Sequence, residues 1–168
     1  MEMRQLSDSD SLRGPTVRAA AVLIENNRIL LVKQNVTATR HWSLPGGHLE
    51  FGETLGLSIA REMKEETGLN ANMRELLYIT DRIIHDTHVV HISFLVNRLN
   101  KKSLPQIWNH FDQHSSESSE PLREIRMVLI DELTTYGFSK RWQQLVRDNF
   151  PGRGKYQGDF QTFYGEYD

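Results

Sequence analysis

The chain has 168 residues, a formal net charge of −2, 25% charged residues and no cysteine. That length predicts one domain with a true apolar core, and the near-neutral balance gives no support to general nucleic-acid binding. The absence of cysteine excludes disulfides, a thiolate metal site and a thiol nucleophile and fits a cytoplasmic protein. The polar start lacks the apolar core of a secretory signal, and no apolar run approaches ~18 residues, so no membrane span is expected.

In chain order, residues 1–16 read as a polar leader, 17–150 as the folded domain and 151–168 as an aromatic tail. VRAAAVLIE (17–25) and RILLVKQ (28–34) are apolar runs joined by Asn26-Asn27. Asn tolerates positive φ, which predicts a two-residue hairpin turn. Residues 35–40 form a loop, and WSLPGG (42–47) leads into a polar stretch with helical periodicity, 54–67. At about 100° per residue, Glu62, Glu65 and Glu66 share one helical face. Gly56, Ile59, Ala60, Met63 and Thr67 fill the neighbouring arc, which suits packing on a sheet. Gly68 is expected to end the helix as a left-handed cap.

Residues 70–82 and 88–97 are the next strand candidates, with His85 and Asp86 in the turn between them. His88 and His91 then point to opposite faces, so the cluster with His85 and Asp86 reads as a polar strand and turn rather than a zinc site, with a substrate-contacting histidine as the alternative. Residues 99–121, containing SSESSE, form a long polar connection, and IRMVLI (125–130) is a strand. Ser139 is expected to cap a last helix, 140–150, stopped by Pro151-Gly152. The tail carries Tyr156, Phe160, Phe163, Tyr164 and Tyr167. That is too aromatic for a disordered segment, so it is expected to dock on its own core or on a second subunit. A homodimer with tail contacts is the working hypothesis. The order of elements predicts an α/β or α+β fold.

Gly47 to Leu69 spells G-x5-E-x7-R-E-U-x-E-E-x-G-U, with U aliphatic, without a departure. Seven fixed residues and two aliphatic ones make a chance match negligible. The segment resembles the signature of the Nudix hydrolases (MutT-like). The specific likeness covers residues 42–69, and the general layout covers 17–150. The resemblance implies an α/β fold, an α/β/α sandwich with a mixed β-sheet, and hydrolysis of a nucleoside diphosphate linked to another moiety X. Clustered carboxylates repel one another unless a cation intervenes, and hard oxygen ligands suit Mg2+, with Mn2+ as the alternative.

Carried onto this chain, the resemblance makes Glu62, Glu65 and Glu66, with the backbone carbonyl of Gly46, the metal ligands. Arg61 would hold the carboxylates by ion pairing, and Glu53 would orient that network. One box glutamate, or an acidic residue in a later loop, would deprotonate the attacking water. Glu120 is favoured over Glu117 and Glu124 because of its place before the 125–130 strand. Gly46 and Gly47 would let the backbone approach metal and phosphate.

Arg40, Trp42, Gly47 and Trp108 are the candidate substrate contacts. Core packing ranks ahead of base stacking for Trp42, and a solvated loop position ranks ahead of a ligand contact for Arg40, His41 and Trp108. The proline that often follows the box by about fifteen residues in ADP-ribose-cleaving relatives is absent, since Ile83-Ile84-His85 stand there. The expected partner is therefore a nucleotide or nucleotide-sugar small molecule of unassigned X, or a nucleoside triphosphate. A non-catalytic nucleotide-sensing module and an RNA 5′-end pyrophosphohydrolase are the competing readings.

Overall fold

A computed structural model describes residues 14–34, 41–100 and 124–165. Residues 1–13 of the leader, Arg40, Trp108, Glu117, Glu120 and Tyr167 lie outside the described residues. The first apolar run divides in two. β1 (Thr16–Val22) enters one sheet, while β2 (Ile24–Glu25) forms a hairpin with β3 (Arg28–Lys33) in another. Asn26 and Asn27 turn that hairpin at φ 50° and 59°, the left-handed conformation their short polar side chains tolerate.

Two sheets result. β3 pairs antiparallel with β2, with β4 (Trp42–Ser43) and with β8 (Ile125–Leu129). The other sheet has the order β5-β1-β7-β6-β9, where β5 is Gly46–His48, β6 Ala71–Ile84, β7 Thr87–Arg98 and β9 Lys155–Asp159. It is mixed, because β1 runs parallel to β7 and β9 runs parallel to β6, while the other pairs are antiparallel. His85, at φ 48°, turns the β6–β7 hairpin.

Period-2 alternation sends neighbouring side chains to opposite cores. Ala19, Ala21 and Leu30 pack with Ile59 and Met63 of helix α1 (Leu55–Thr67). Ile29, Leu31 and Val22 join Trp142 of α2 (Lys140–Arg147) together with Phe163 and Tyr164 of α3 (Phe160–Tyr164). The sheets are thus flanked by α1 on one side and by α2 and α3 on the other. This is the expected α/β/α arrangement with a mixed sheet, to which a second, antiparallel sheet is added.

Helix ends follow their local chemistry. Thr54 caps α1 by accepting the Leu57 amide at 3.3 Å, and Gly68 ends it at φ 70°. Ser139 caps α2 by accepting from Trp142 N at 3.0 Å. α2 stops at Arg147, three residues short of the expected end. Asn149 and Phe150 are left-handed, at φ 55° and 57°. Pro151 disfavours the helical conformation at the residue before it, and the reversal drops Phe150 into the core.

The tail segment packs on its own chain. Tyr78 stacks edge-on with Phe163 at 5.2 Å, and the Tyr164 hydroxyl donates to Ser93 Oγ at 2.7 Å. His88 approaches Asp81 at 3.1 Å, whereas His91 stacks on Phe160 at 4.0 Å. The two histidines serve opposite faces. Among the described residues no helix is long and apolar enough to cross a membrane.

Candidate active site

The C-terminal half of α1 lies against β5 and presents its carboxylates to the Gly46-Gly47 backbone. Glu66 is buried. It accepts from the Gly46 amide at 2.8 Å and from Gln34 Nε2 at 2.5 Å. Burial pushes its pKa up to about 8, with Arg18 opposing that shift and Glu62 adding to it. Glu62, also buried, is raised for the same first reason, against the pull of Arg61 and Arg18. Glu65 is about half exposed.

The two glycines are required here on steric grounds. A β-carbon on Gly46 would stand 2.1 Å from the Ala19 carbonyl oxygen, and its φ of +145° suits no other residue well. A β-carbon on Gly47 would stand 2.0 Å from Glu62 Oε1, so the bare backbone at Gly47 is the cradle for that carboxylate.

Arg61 is the hub of the cluster. Its guanidinium grips Glu53 in two places, Nε to Oε1 at 2.7 Å and Nη2 to Oε2 at 3.0 Å. It also donates to Glu62 at 2.8 Å, to Glu65 at 3.1 Å and to the His48 carbonyl at 3.2 Å. Glu53 is tied back to the loop by the Glu50 amide at 3.0 Å. The Arg61 hydrogen bonds hold the Glu53 carboxyl below the usual range and raise the Arg61 pKa in return. Fork-to-fork pairing of this kind fixes geometry as well as charge.

The donors fit a hard divalent cation. Three carboxylates and the Gly46 carbonyl are all oxygen ligands, and two of the carboxylates are pushed toward protonation by burial. They are engaged with protein groups, and among the described residues no three His, Cys, Asp or Glu side chains converge in a ready metal cage. Arg18 Nη2 donates to the Gly46 carbonyl, so a guanidinium already sits at one of the expected ligand atoms.

Beyond the cradle lies a cavity of about 260 Å3 whose walls include Arg18, Gln34, Arg82, His91, Phe160 and Tyr164. Arg18, Gln34 and Arg82 were not placed at the site from the sequence, whereas His91 belongs to the histidine cluster in which a substrate contact is the alternative. A signal existed for Arg18, which interrupts an apolar strand and shares a face with Ala20. Nothing local marks Arg82, which joins Arg18 and His91 only through strand register.

Of the sequence candidates, Gly46, Gly47, Glu53, Arg61, Glu62, Glu65 and Glu66 are brought together. Trp42 packs edge-on against Tyr136 at 5.3 Å, with Arg126 over its ring at 5.2 Å, in keeping with the packing role favoured for it over base stacking. Glu124, at the foot of β8, is paired with Arg126 and lies 3.8 Å from Lys33.

The family model of the NUDIX domain matches residues 15–147. An 86-residue stretch is 35% identical to an ADP-ribose pyrophosphatase of Methanocaldococcus jannaschii, covering 49% of this chain and 51% of that protein. Over 160 residues the chain is 26% identical to Nucleoside diphosphate-linked moiety X motif 6 of Xenopus laevis, covering 87% of this chain and 71% of that protein. The match to the archaeal protein therefore spans about half of that protein's length. A NUDIX hydrolase structure from Nitrosomonas europaea superposes with a TM-score of 0.63 at 20% identity, covering 92% of this chain and 98% of that one, a likeness of fold.

Proposed function

This chain belongs to the Nudix hydrolase family, and from that premise we propose that it is a metal-dependent pyrophosphohydrolase cleaving a nucleoside diphosphate linked to another moiety. The observation that carries the reading is the pair of buried glutamates against the Gly-Gly strand. Glu66 is hydrogen-bonded to Gly46 N, and Glu62 fills the space a β-carbon on Gly47 would take. Buried carboxylates this close persist in a fold when a cation is part of the site.

In this proposal Glu62, Glu65, Glu66 and the Gly46 carbonyl hold Mg2+ or Mn2+. A bound divalent ion would neutralise diphosphate oxygens and lower the pKa of a bound water. Arg61 positions Glu62 and Glu65, and Glu53 positions Arg61. Water adds to one phosphorus, the bridging P–O bond breaks, and the electron pair leaves with the second phosphate. Glu120, outside the described residues, is proposed as the group that takes the water's proton. Arg40, Trp42, Gly47 and Trp108 are proposed substrate contacts. The names of the relatives support ADP-ribose and other X-linked nucleoside diphosphates as first substrates to try.

The homodimer and the cytoplasmic location stay within the proposal. The exposed Ile83 and Ile84 at one hairpin end support an interface, and the cysteine-free composition suits a reducing compartment.

The test is a phosphate-release screen with Mg2+ and then Mn2+, with phosphatase added to reveal monoesters. The panel should span nucleoside triphosphates, ADP-ribose, nucleotide sugars, dinucleoside polyphosphates, NADH and coenzyme A. Metal-dependent turnover of one class, lost in Glu66→Gln, is the expected result. Tight nucleotide binding with no turnover across the panel would favour the sensing module instead.

A further inference from the structure

The peptide groups of Gly46, on the edge strand β5, are held from both sides by side chains. The Gly46 amide donates to Glu66 at 2.8 Å, and the Gly46 carbonyl accepts from Arg18. Strand register explains the second contact. Arg18 on β1 stands opposite His48, and Ala20 stands opposite Gly46. Gly46 is thus the diagonal neighbour of Arg18, two residues along β5, and a long side chain spans that diagonal. The guanidinium of half-buried Arg18 favours the charged forms of Glu62 and Glu66 against their burial and disfavours that of His48.

A cation therefore already stands at the cradle, and it belongs to the chain. It touches the carbonyl and acts on the two buried carboxylates that would hold a divalent ion. Buried carboxylates without a positive neighbour are costly, so the guanidinium stabilises the metal-free protein. Two cations repel at contact distance and cannot share one carbonyl oxygen and one pair of carboxylates. The side chain has somewhere to go. Arg18 also lines the adjoining cavity of about 260 Å3, so its fork can turn there while β1 stays in place.

Resting on the hydrolase reading above, we propose that Arg18 is a built-in competitor of the divalent ion: it closes the metal-free cradle through the Gly46 carbonyl and is displaced when a cation binds. The cradle is then competent for metal only in the fraction of molecules whose Arg18 has turned away, and the apparent affinity is reduced by that fraction. Arg18 is a positioning residue in this account. It sets how tightly the carboxylates and the carbonyl take a cation, and it keeps the buried acidic pair compensated until one arrives.

The test is Mn2+ titration of the intact protein and its variants without substrate, read by electron paramagnetic resonance. Arg18→Met should lower the Mn2+ Kd by about 10- to 100-fold, the size of a hydrogen bond to a charged group. Arg18→Lys keeps the charge without the fork, and its Kd should fall between those of Arg18→Met and the intact protein. Lys64→Met is the control for charge alone, because Lys64 is exposed on α1 and donates to the Gly68 carbonyl at 3.3 Å. Its Kd should change by no more than about threefold, since exposed charge is screened. Without metal, Arg18→Met should melt below the intact protein, and saturating Mn2+ should narrow that gap, which a purely structural arginine would not do. An unchanged or higher Kd in a folded Arg18→Met, or an equal gain in Lys64→Met, overturns the proposal. Should Arg18→Met not fold, Arg18→Lys decides, and a Kd equal to that of the intact protein overturns it. Mn2+ binding that Glu66→Gln leaves intact, or no binding by any form, is instead a failure of the metal reading itself, and the proposal falls with it.

Discussion

The carboxylate of Glu66 accepts the backbone N–H of Gly46 at 2.8 Å, across twenty residues of sequence. This bond joins the last turn of α1 to the Gly-Gly edge strand, so the helix that carries the acidic residues and the backbone that would face phosphate are fixed to each other. Glu66→Gln tests both sides of that role. Turnover should fall by several orders of magnitude, since the variant loses a charged ligand. Thermal stability without metal should hold or rise, because a neutral amide escapes the cost of burying charge. Kinetics and a melt on the same sample decide it, and near-normal turnover would sink the ligand assignment.

Stability of the metal-free protein should depend on pH in a set direction. The Glu66 pKa is near 8 in the folded chain against an ordinary 4.5, and Glu62 is raised as well. A carboxyl with a raised folded pKa contributes stability that is complete below the unfolded value and lost as pH rises through the folded one. Urea denaturation should therefore show a decline from about pH 5 to pH 8 amounting to several kcal/mol by order of magnitude. Glu53, held low by Arg61, acts in the opposite sense and only in acid. Saturating Mg2+ should flatten the slope. A metal-free curve that is flat or rises over that window would contradict the burial of Glu66.

Arg61→Lys should uncouple positioning from folding. Lysine keeps the charge but cannot grip Glu53 through two nitrogens while also reaching Glu62 and the His48 carbonyl. Losing such an orienting partner costs roughly 10- to 100-fold in activity or metal affinity, with about 1–2 kcal/mol of stability for a partly exposed site. Mn2+ titration followed by electron paramagnetic resonance reads the affinity independently of turnover.

The two neighbouring glycines should fail in different ways when changed to alanine. Gly46→Ala drives a β-carbon into the Ala19 carbonyl, 2.1 Å away in backbone that has no freedom to move, at a φ of +145°. It should destabilise the fold by several kcal/mol. Gly47→Ala meets the far end of the Glu62 side chain, which can rotate away. That variant should melt near the parent temperature yet lose turnover and metal affinity. Equal melting losses for both would show that Gly47 is not a cradle for Glu62.

Phe163→Ala should cost about 3–5 kcal/mol, the usual range for a fully buried aromatic, because Phe163 is 0% exposed and touches Tyr78, Trp142 and Tyr164. Denaturant unfolding measures it. A loss under 1 kcal/mol would mean that the C-terminal segment contributes little to the core.

Light scattering at micromolar concentration checks the homodimer. Phe160, Phe163 and Tyr164 are already engaged within the chain, so a dimer with tail contacts would use other exposed surface, such as Tyr156 of the tail and Ile83 and Ile84. A monomer across the accessible concentration range would remove it.

What the sequence determined by itself was set by local rules. Asn26-Asn27 dictates a hairpin, Thr54 and Gly68 bound α1, and Ser139 starts α2, because caps and turns depend on residues within one helical turn. The spacing of Glu62, Glu65 and Glu66 places three carboxylates along one side of that helix for the same reason. Tertiary structure alone decided how deep each lies, and with it which carboxyl is pushed toward neutrality, since burial depends on what packs above the helix. It also split the first apolar run between two sheets, drew Trp42 into packing with Tyr136, and folded the aromatic tail onto Tyr78 and Trp142. Arg18 and Arg82 meet at the cavity only because β1, β7 and β6 pair in one register. Pairing between strands dozens of residues apart is a property of the packed chain, and no periodicity within either segment encodes it.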